Sequence, residues 1–335
     1  MNRVLILLVL VGALLCALHF APPAASAVTI DWVTVGDPGN APDPATGSKY
    51  GDVGYAYRFG KYVITNTQYA EFLNSNDPAG ANALGLYDQR MANSKTVGGI
   101  GRNFTDPDGP KYFVINGFAD RPVTYVNFFD AIRFANWLNN GQAPGSTEIG
   151  AYTLLGGTPI PSNATSIVRN PEARVFLPSE DEWYKAAYYH PTTGTYYRYP
   201  TSSNDAPIAS PPTPLPNHAN LAGSAGTGGP GTTTPVTAYA GTMSPYGALD
   251  MAGNVQQWNE SANSDATGRY VRGGSYIANA FMANVASRLS REASDDDNSI
   301  GFRVAAVIPE PSTGVMAGIG CALLGLLRRR FKRAS

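Results

Sequence analysis

Cysteine is almost missing from this chain. The 335 residues include two, Cys16 and Cys321, and each lies in an apolar stretch near one end. The long segment between these stretches has no thiol, so it forms no internal disulfide bond. It also offers no cysteine nucleophile and no thiolate ligand for a soft metal ion.

Charge and histidine are scarce as well. Charged residues make up 15% of the chain, and the formal net charge is −1. The sequence has no basic stripe that would hold phosphates, so we exclude nucleic acid as a partner. Among the 3 histidines, only His190 and His218 lie outside the N-terminal apolar stretch, and they do not form a His-x-x-x-His pattern.

Glycine, proline and aromatic residues are plentiful. The 36 glycines and 26 prolines predict a chain rich in loops. However, 19 Tyr, 13 Phe and 4 Trp are too many aromatic residues for a disordered protein. We therefore expect a folded protein with little regular secondary structure.

The N-terminus predicts a secretory signal peptide over residues 1–27. Arg3 precedes an apolar run over residues 4–18, and Ala25-Ser26-Ala27 gives the small-x-small pattern of a cleavage site. An anchor helix is the alternative, but Pro22 and Pro23 interrupt the stretch. We expect cleavage after Ala27 and export of the protein.

The C-terminus, residues 308–335, has three parts in order. Pro309-Glu310-Pro311 precedes an apolar run over residues 314–327, which is shorter than the roughly 20 residues of a full membrane span. A basic end with four arginines and Lys332 follows and favours the cytoplasmic side of a membrane. A simple membrane-anchored tail is one interpretation.

This tripartite tail also resembles the PEP-CTERM sorting signal of Gram-negative bacteria that make extracellular polysaccharide. The resemblance implies transient anchoring in the inner membrane and cleavage near Pro309-Glu310-Pro311 by an exosortase. The mature protein would then reside at the cell surface or in the extracellular matrix.

Between the two ends, residues 28–307 are expected to form one domain. Thr65, Asn127 and Ser179 each precede a segment with apolar residues at helical spacing, so each predicts a helix start. Short apolar or aromatic runs and turn residues make up most of the remainder. Residues 36–51 and 204–235 read as long loops.

Six motifs occur in a fixed order within this domain. They occupy residues 57–69, 121–127, 176–183, 246–258, 272–276 and 301–303, and they include Arg272-Gly273-Gly274-Ser275-Tyr276 and Gly301-Phe302-Arg303. Together they resemble the formylglycine-generating enzyme, or sulfatase-modifying factor, domain. The resemblance implies a low-regularity α+β fold related to C-type lectins. We expect most motif residues, including Trp183, Trp258 and Arg303, to be structural.

The family's oxidase converts a substrate cysteine to formylglycine with copper(I) and oxygen, and it holds copper with two thiolates. The resemblance places those ligands at Ala278 and Ala283, which cannot bind a metal. The thioether of the adjacent Met282 cannot replace two thiolates. Copper binding is therefore not expected. An iron site built from histidines, as in a relative of the same superfamily, is not expected either, because His190 and His218 read as separate exposed residues.

The family's calcium-binding positions match this sequence better than its copper-binding positions do. The resemblance places one site at Asp250, Gly253, Val255 and Gln257, where the carboxylate, the amide and backbone carbonyls offer the oxygen ligands that calcium prefers. A second family site would use Asn220 and Leu221, but no Asp or Glu occurs between Leu221 and Leu249 to complete it. We interpret Asp295-Asp296-Asp297 as a solvated turn.

Three functional hypotheses follow. The first is a non-catalytic module that binds extracellular polysaccharide or a surface protein, and its stacking surface would use Tyr184, Tyr188, Tyr189, Tyr196, Tyr197 and Tyr199. The second is an enzyme, either a formylglycine-generating oxidase or another oxidoreductase on the same fold. The third is an accessory factor that docks a sulfatase without modifying it. The missing thiols and the export signals favour the first hypothesis.

Overall fold

The predicted helix starts are confirmed in a computed structural model, which describes residues 27–94, 96–105, 109–223 and 229–309. Helices α1 (Asn66–Asn76), α3 (Phe128–Asn139) and α4 (Glu180–Tyr188) each begin with a capping box; the short α2 (Arg90–Asn93) has none. In these boxes the cap side chain and the side chain three residues later satisfy each other's backbone N–H groups.

Most strands are short. In chain order they are β1 (Trp32–Val35), β2 (Tyr57–Gly60), β3 (Ile100–Arg102), β4 (Tyr112–Val114), β5 (Val175–Phe176), β6 (Tyr189–His190), β7 (Thr195–Tyr196), β8 (Ile208–Ala209), β9 (His218–Ala219), β10 (Gln256–Ala262), β11 (Gly268–Arg272), β12 (Leu289–Glu292), β13 (Ile300–Phe302) and β14 (Ala305–Val307). Short 3-10 helices cover Pro44–Thr46, Ala164–Ser166 and Ala280–Ala283.

Two four-stranded sheets organise the described part of the chain. One has the order β1-β2-β14-β5 and is antiparallel throughout. The other has the order β12-β11-β10-β13, in which only β10 and β13 run parallel. Strands β3–β4, β6–β7 and β8–β9 form three two-stranded sheets. Strands β8 and β9 lie within the segment that was expected to be one long loop.

Aromatic residues pack between helices α1 and α3 and against strand β13 of the second sheet. Tyr69, Phe72 and Phe134 lie within 6.0 Å of one another, measured between ring centroids, and all three are buried. Phe302 of β13 packs against Phe134 at 5.3 Å. One hydrophobic core includes both Val28 and Ala305, so the two ends of the described chain share it.

The predicted membrane-related segments lie largely outside the described residues. These are residues 1–26 of the signal peptide and residues 310–335 of the tail. Within the described ranges, no helix has the length and apolar character needed to cross a membrane.

Candidate functional site

The Gly-Gly-Ser-Tyr motif forms a sharp turn directly after β11. Gly273 and Gly274 have φ angles of 97° and 69°, which favour glycine. A Cβ atom on Gly273 would come within 3.0 Å of the Met251 carbonyl oxygen. The Tyr276 backbone N–H donates to the Asn254 carbonyl at 2.9 Å. This turn is therefore fixed against the preceding Gly-Asn-Val motif.

The Gly-Asn-Val motif is itself a tight turn. Asp250, Gly253 and Asn254 have φ angles of 53°, 77° and 60°. The Gly253 N–H donates to the Gly273 carbonyl at 2.8 Å, and a Cβ atom on Gly253 would clash with the carbonyl of Asn220. The two motifs thus hold each other through backbone contacts that need glycine.

Gln257 connects this turn to the core. Its side-chain oxygen accepts hydrogen bonds from Trp183 Nε1 at 2.8 Å and from Arg303 Nε at 2.7 Å. Its Nε2 donates to the Asp250 carbonyl at 2.7 Å. Arg303 also donates to the carbonyls of Gly60 and Leu249. These contacts give Trp183 and Arg303 the structural roles that their motifs suggested.

The four predicted calcium residues come together on this turn, but their oxygens differ in availability. The Asp250 carboxyl is buried, and its closest side-chain donor is Asn254 Nδ2 at 3.3 Å. Burial raises the pKa of Asp250 to about 7, against the opposing effect of Arg303. The Gln257 oxygen already accepts two N–H groups, so calcium would have to displace both to bind it. Calcium binding here stays a prediction.

The second family position is incomplete in this structure. Asn220 Oδ1 is buried and has no hydrogen-bond partner, while Asn220 Nδ2 donates to the Thr232 carbonyl at 2.8 Å. Within the described ranges, no group of three or more His, Cys, Asp or Glu residues lies close enough to hold a metal ion.

The two positions that the resemblance assigns to the copper ligands, Ala278 and Ala283, carry methyl groups. Ala283 is fully buried against Ala219, Leu221 and Ala252. The Ala278 carbonyl accepts a hydrogen bond from the Ala222 N–H at 2.9 Å. A methyl group donates no electron pair, so these positions do not fit copper(I).

The two histidines are held separately. His190 belongs to the β6–β7 sheet, where its Nδ1 accepts N–H groups from Thr192 and Thr193. His218 belongs to the β8–β9 sheet, and its Nδ1 lies 3.0 Å from Ser210 Oγ. The two histidines belong to different sheets and have separate hydrogen-bond partners, so they do not form a shared metal site.

A charged cleft of 510 Å³ lies near the Gly-Gly-Ser-Tyr turn. Residues Arg90, Tyr125, Arg291, Asp295, Asp296, Asp297 and Asn298 line it. Arg90 forms ion pairs with Asp88 at 2.8 Å and Asp296 at 2.6 Å. These carboxylates raise the pKa of Arg90, and Arg90 lowers the pKa of Asp88.

Tyr125 connects the charged cleft to the motif turn. Its φ angle of 59° is unusual for a residue with an aromatic side chain, and its N–H donates to the Asp297 carbonyl at 3.1 Å. Burial raises the pKa of Tyr276 to about 12, and the nearby Tyr125 and Asp297 add to that effect. Strained residues often occur at functional sites.

No pattern in the sequence predicted this cleft. The Asp295-Asp296-Asp297 run was interpreted as a solvated turn, but Asp296 pairs with Arg90 and Asp297 accepts from the Ser299 backbone at 2.8 Å. No local pattern links residues 90, 125 and 296, because only the tertiary fold brings them together.

The expected tyrosine surface is mostly internal. Tyr184, Tyr188, Tyr189 and Tyr199 are buried, whereas Tyr196 and Tyr197 are partly exposed. Tyr184 packs against Tyr188 at 4.7 Å and against Tyr196 at 5.7 Å, between ring centroids. Of these six tyrosines, Tyr196 and Tyr197 are therefore the ones that a ligand can contact.

Few helices, short strands and interlocked glycine turns define an α+β domain of the formylglycine-generating-enzyme type. The family model for the sulfatase-modifying factor enzyme 1-like domain matches residues 42–308, and the chain belongs to this family.

Two solved structures share the fold. Treponema denticola variable protein 1 superposes with a TM-score of 0.57 at 19% identity, covering 86% of this chain and 100% of that one. CarF superposes with a TM-score of 0.56 at 23% identity, covering 84% and 100%. They confirm the expected low-regularity α+β fold.

Curated relatives include two hercynine oxygenases. The enzyme of Mycolicibacterium smegmatis is 28% identical over 216 residues, and that of Mycobacterium tuberculosis is 26% identical over 218 residues. Each match covers 62% of this chain but only 37% and 38% of the respective relative. The chain thus spans less than two fifths of their length.

Proposed function

We propose that this protein is an exported, non-catalytic binding module that uses the charged cleft to hold a segment of a surface protein. One observation carries the proposal. Alanine occupies both positions that the resemblance assigns to copper ligands, Ala278 and Ala283. An open cleft that carries both positive and negative side chains lies near the Gly-Gly-Ser-Tyr turn.

The cleft suits a charged peptide segment better than an uncharged ligand. Arg291 and Asp295 both line the cleft, so it presents a guanidinium and a carboxylate to a ligand. A ligand with both a carboxylate and a cationic group would pair with these residues. Charge-assisted hydrogen bonds are stronger than neutral ones, so such a ligand gains affinity and orientation.

The proposed location rests on the two ends of the chain. We propose that the signal peptide is removed after Ala27 and that the apolar tail holds the protein in the inner membrane until an exosortase-type enzyme cleaves it. Mass spectrometry of the protein recovered from its natural host tests both cleavages. A surface-exposed product that retains residues 314–327 would support simple anchoring instead.

Binding through the charged cleft is tested with a displayed library of peptides carrying both acidic and basic residues. Selected peptides should lose about tenfold in affinity for Arg291→Gln, which removes one charged contact. The matched control is Arg174→Gln, because Arg174 is exposed and lies outside the lining of the cleft. Equal losses in both variants would contradict the proposal.

An oxidoreductase is the second candidate, favoured by the similarity to hercynine oxygenases. Oxygen uptake and peptide mass are measured with copper or iron and a Cys-x-Pro-x-Arg peptide. The binding-module proposal expects no uptake and an unchanged peptide. A docking factor for a sulfatase would instead bind the folded sulfatase and leave its cysteine unmodified.

A further inference from the structure

The β6–β7 hairpin presents the rings of His190 and Tyr197 on its outer face. Tyr189 pairs with Tyr196 and His190 pairs with Thr195 in this hairpin. Tyr189 and Tyr196 pack together at 5.1 Å between centroids, with Tyr189 buried. Because side chains alternate across a strand, His190 and Tyr197 lie diagonally on the other face. Their rings are 5.3 Å apart.

The turn of the hairpin fixes the orientation of His190. Its Nδ1 accepts the backbone N–H groups of Thr192 and Thr193 at 3.2 and 3.3 Å. With Nδ1 acting as an acceptor, the ring proton of the neutral imidazole is on Nε2. Nε2 therefore offers a hydrogen-bond donor on the side of the ring away from the turn.

These rings form one wall of a groove of 440 Å³, which we call the hairpin groove. The lining also includes Ser202, Pro216, Met243 and Pro245. Ser202 Oγ donates to the Met243 carbonyl at 2.8 Å and so links two segments of the lining. The side chain of Met243 is 44% exposed.

The chemistry of the hairpin groove differs from that of the charged cleft. None of the side chains that line the groove belongs to Asp, Glu, Lys or Arg. The lining combines apolar surfaces from Tyr197, Met243 and the prolines with the Thr192 hydroxyl and the His190 donor. Such a lining suits a neutral ligand that has an apolar face and a hydrogen-bonding edge.

We infer that the hairpin groove binds a neutral hexose unit of a polysaccharide. The ring face of such a sugar would lie against Tyr197, and a hydroxyl would accept the Nε2 hydrogen of His190. The volume of the groove lies within the range of typical ligand pockets. This inference concerns a surface other than the charged cleft, so it does not depend on the peptide-binding proposal.

A proline-rich peptide is the competing occupant, because such peptides dock on aromatic-lined grooves. The exposed hydroxyl group of Thr192 and the Nε2 donor of His190 at the groove favour a sugar. The test below therefore also includes a proline-rich peptide as a possible ligand.

The test uses the full chain in detergent micelles, and NMR spectra of the protein are recorded. Glucose, galactose and mannose oligomers are titrated while the ring signals of His190 and Tyr197 are followed. At least one neutral oligomer should shift both signals. Tyr197→Ala should weaken that binding about tenfold, whereas Tyr197→Phe should retain it because the ring face remains. His190→Asn keeps an acceptor for the turn but removes the ring donor, and it should also weaken binding.

Phe104→Ala is the matched control, because Phe104 is a 70% exposed aromatic residue outside the groove. The inference is overturned if no neutral oligomer shifts the two ring signals. It is also overturned if Tyr197→Ala binds as wild type does, or if only a proline-rich peptide shifts the signals. Sugar binding that is lost in Arg291→Gln but kept in Tyr197→Ala would assign the sugar to the charged cleft instead.

Discussion

Arg303 donates a hydrogen bond from Nε to the side-chain oxygen of Gln257 over 2.7 Å, and both residues are fully buried. Burial lowers the pKa of Arg303 to about 9, while Asp250 acts in the opposite direction. Arg303 therefore stays cationic at neutral pH, and the Gln257 amide provides a neutral acceptor for it. This pair joins the end of the second sheet to the glycine turns of the site.

Gln257→Ala should destabilise the protein strongly. The substitution leaves Trp183 Nε1 and Arg303 Nε without their acceptor in the core. An unsatisfied buried donor costs about 1–3 kcal/mol, so we expect a loss of roughly 2–5 kcal/mol in the free energy of unfolding. Urea denaturation measures it. Gln89→Ala, at an exposed position without a side-chain cap, should change stability by less than about 0.5 kcal/mol.

Gly253→Ala should also destabilise the protein, through the backbone. Gly253 has a φ angle of 77°, and a Cβ atom there would clash with the Asn220 carbonyl. We expect a loss of about 2–4 kcal/mol, seen as a lower melting temperature. Gly231→Ala is a suitable comparison, because Gly231 also has positive φ but open space around its Cβ position. Its loss should be clearly smaller; equal losses would contradict the clash.

Asp130 should make stability depend on pH. Asp130 is buried in α3, its Oδ1 has no hydrogen-bond partner, and burial raises its pKa from 3.8 to about 7. The folded state therefore prefers protonated Asp130. This contribution to stability is complete below the unfolded pKa and is lost as the pH rises through about 7.

Asp130→Asn keeps a neutral side chain at every pH and isolates this effect. Relative to wild type, the variant should gain roughly 2–4 kcal/mol in the free energy of unfolding between about pH 4 and pH 8. Urea denaturation at several pH values measures this difference. A difference that does not change with pH would show that Asp130 is ionised throughout or more solvated than the structure indicates.

Calcium should raise the melting temperature if the turn at Asp250 binds it. Asp250→Asn removes the only carboxylate among the four predicted residues and should abolish the effect. Differential scanning fluorimetry with calcium and with a chelator gives the result. Asp265→Asn is the control, because Asp265 lies in an exposed turn. An unchanged melting temperature in wild-type protein would remove calcium from the account.

The sequence predicted the helix starts well, because each capping box links residues only three positions apart. Thr65, Asn127 and Ser179 cap as expected. The six motifs in their fixed order also predicted the family, and the resemblance to that family predicted its fold.

The sites were harder to predict, because tertiary contacts decide them. Calcium binding by Gln257 stays a prediction, and the contacts of its side-chain oxygen with Trp183 and Arg303 could not be predicted because these residues are distant in sequence. The charged cleft likewise joins Arg90 to Asp296. His190 and Tyr197 lie together on the outer face because of the β6–β7 hairpin. Each strand of this hairpin has two residues, too few to produce an alternating pattern in the sequence.

The most direct test of a non-catalytic module is elemental analysis of the purified protein after expression with both copper and iron. We expect neither metal at a stoichiometric level, because Ala278 and Ala283 provide no ligand and the two histidines lie in different sheets. One copper or one iron ion per chain would contradict the account and establish a redox site.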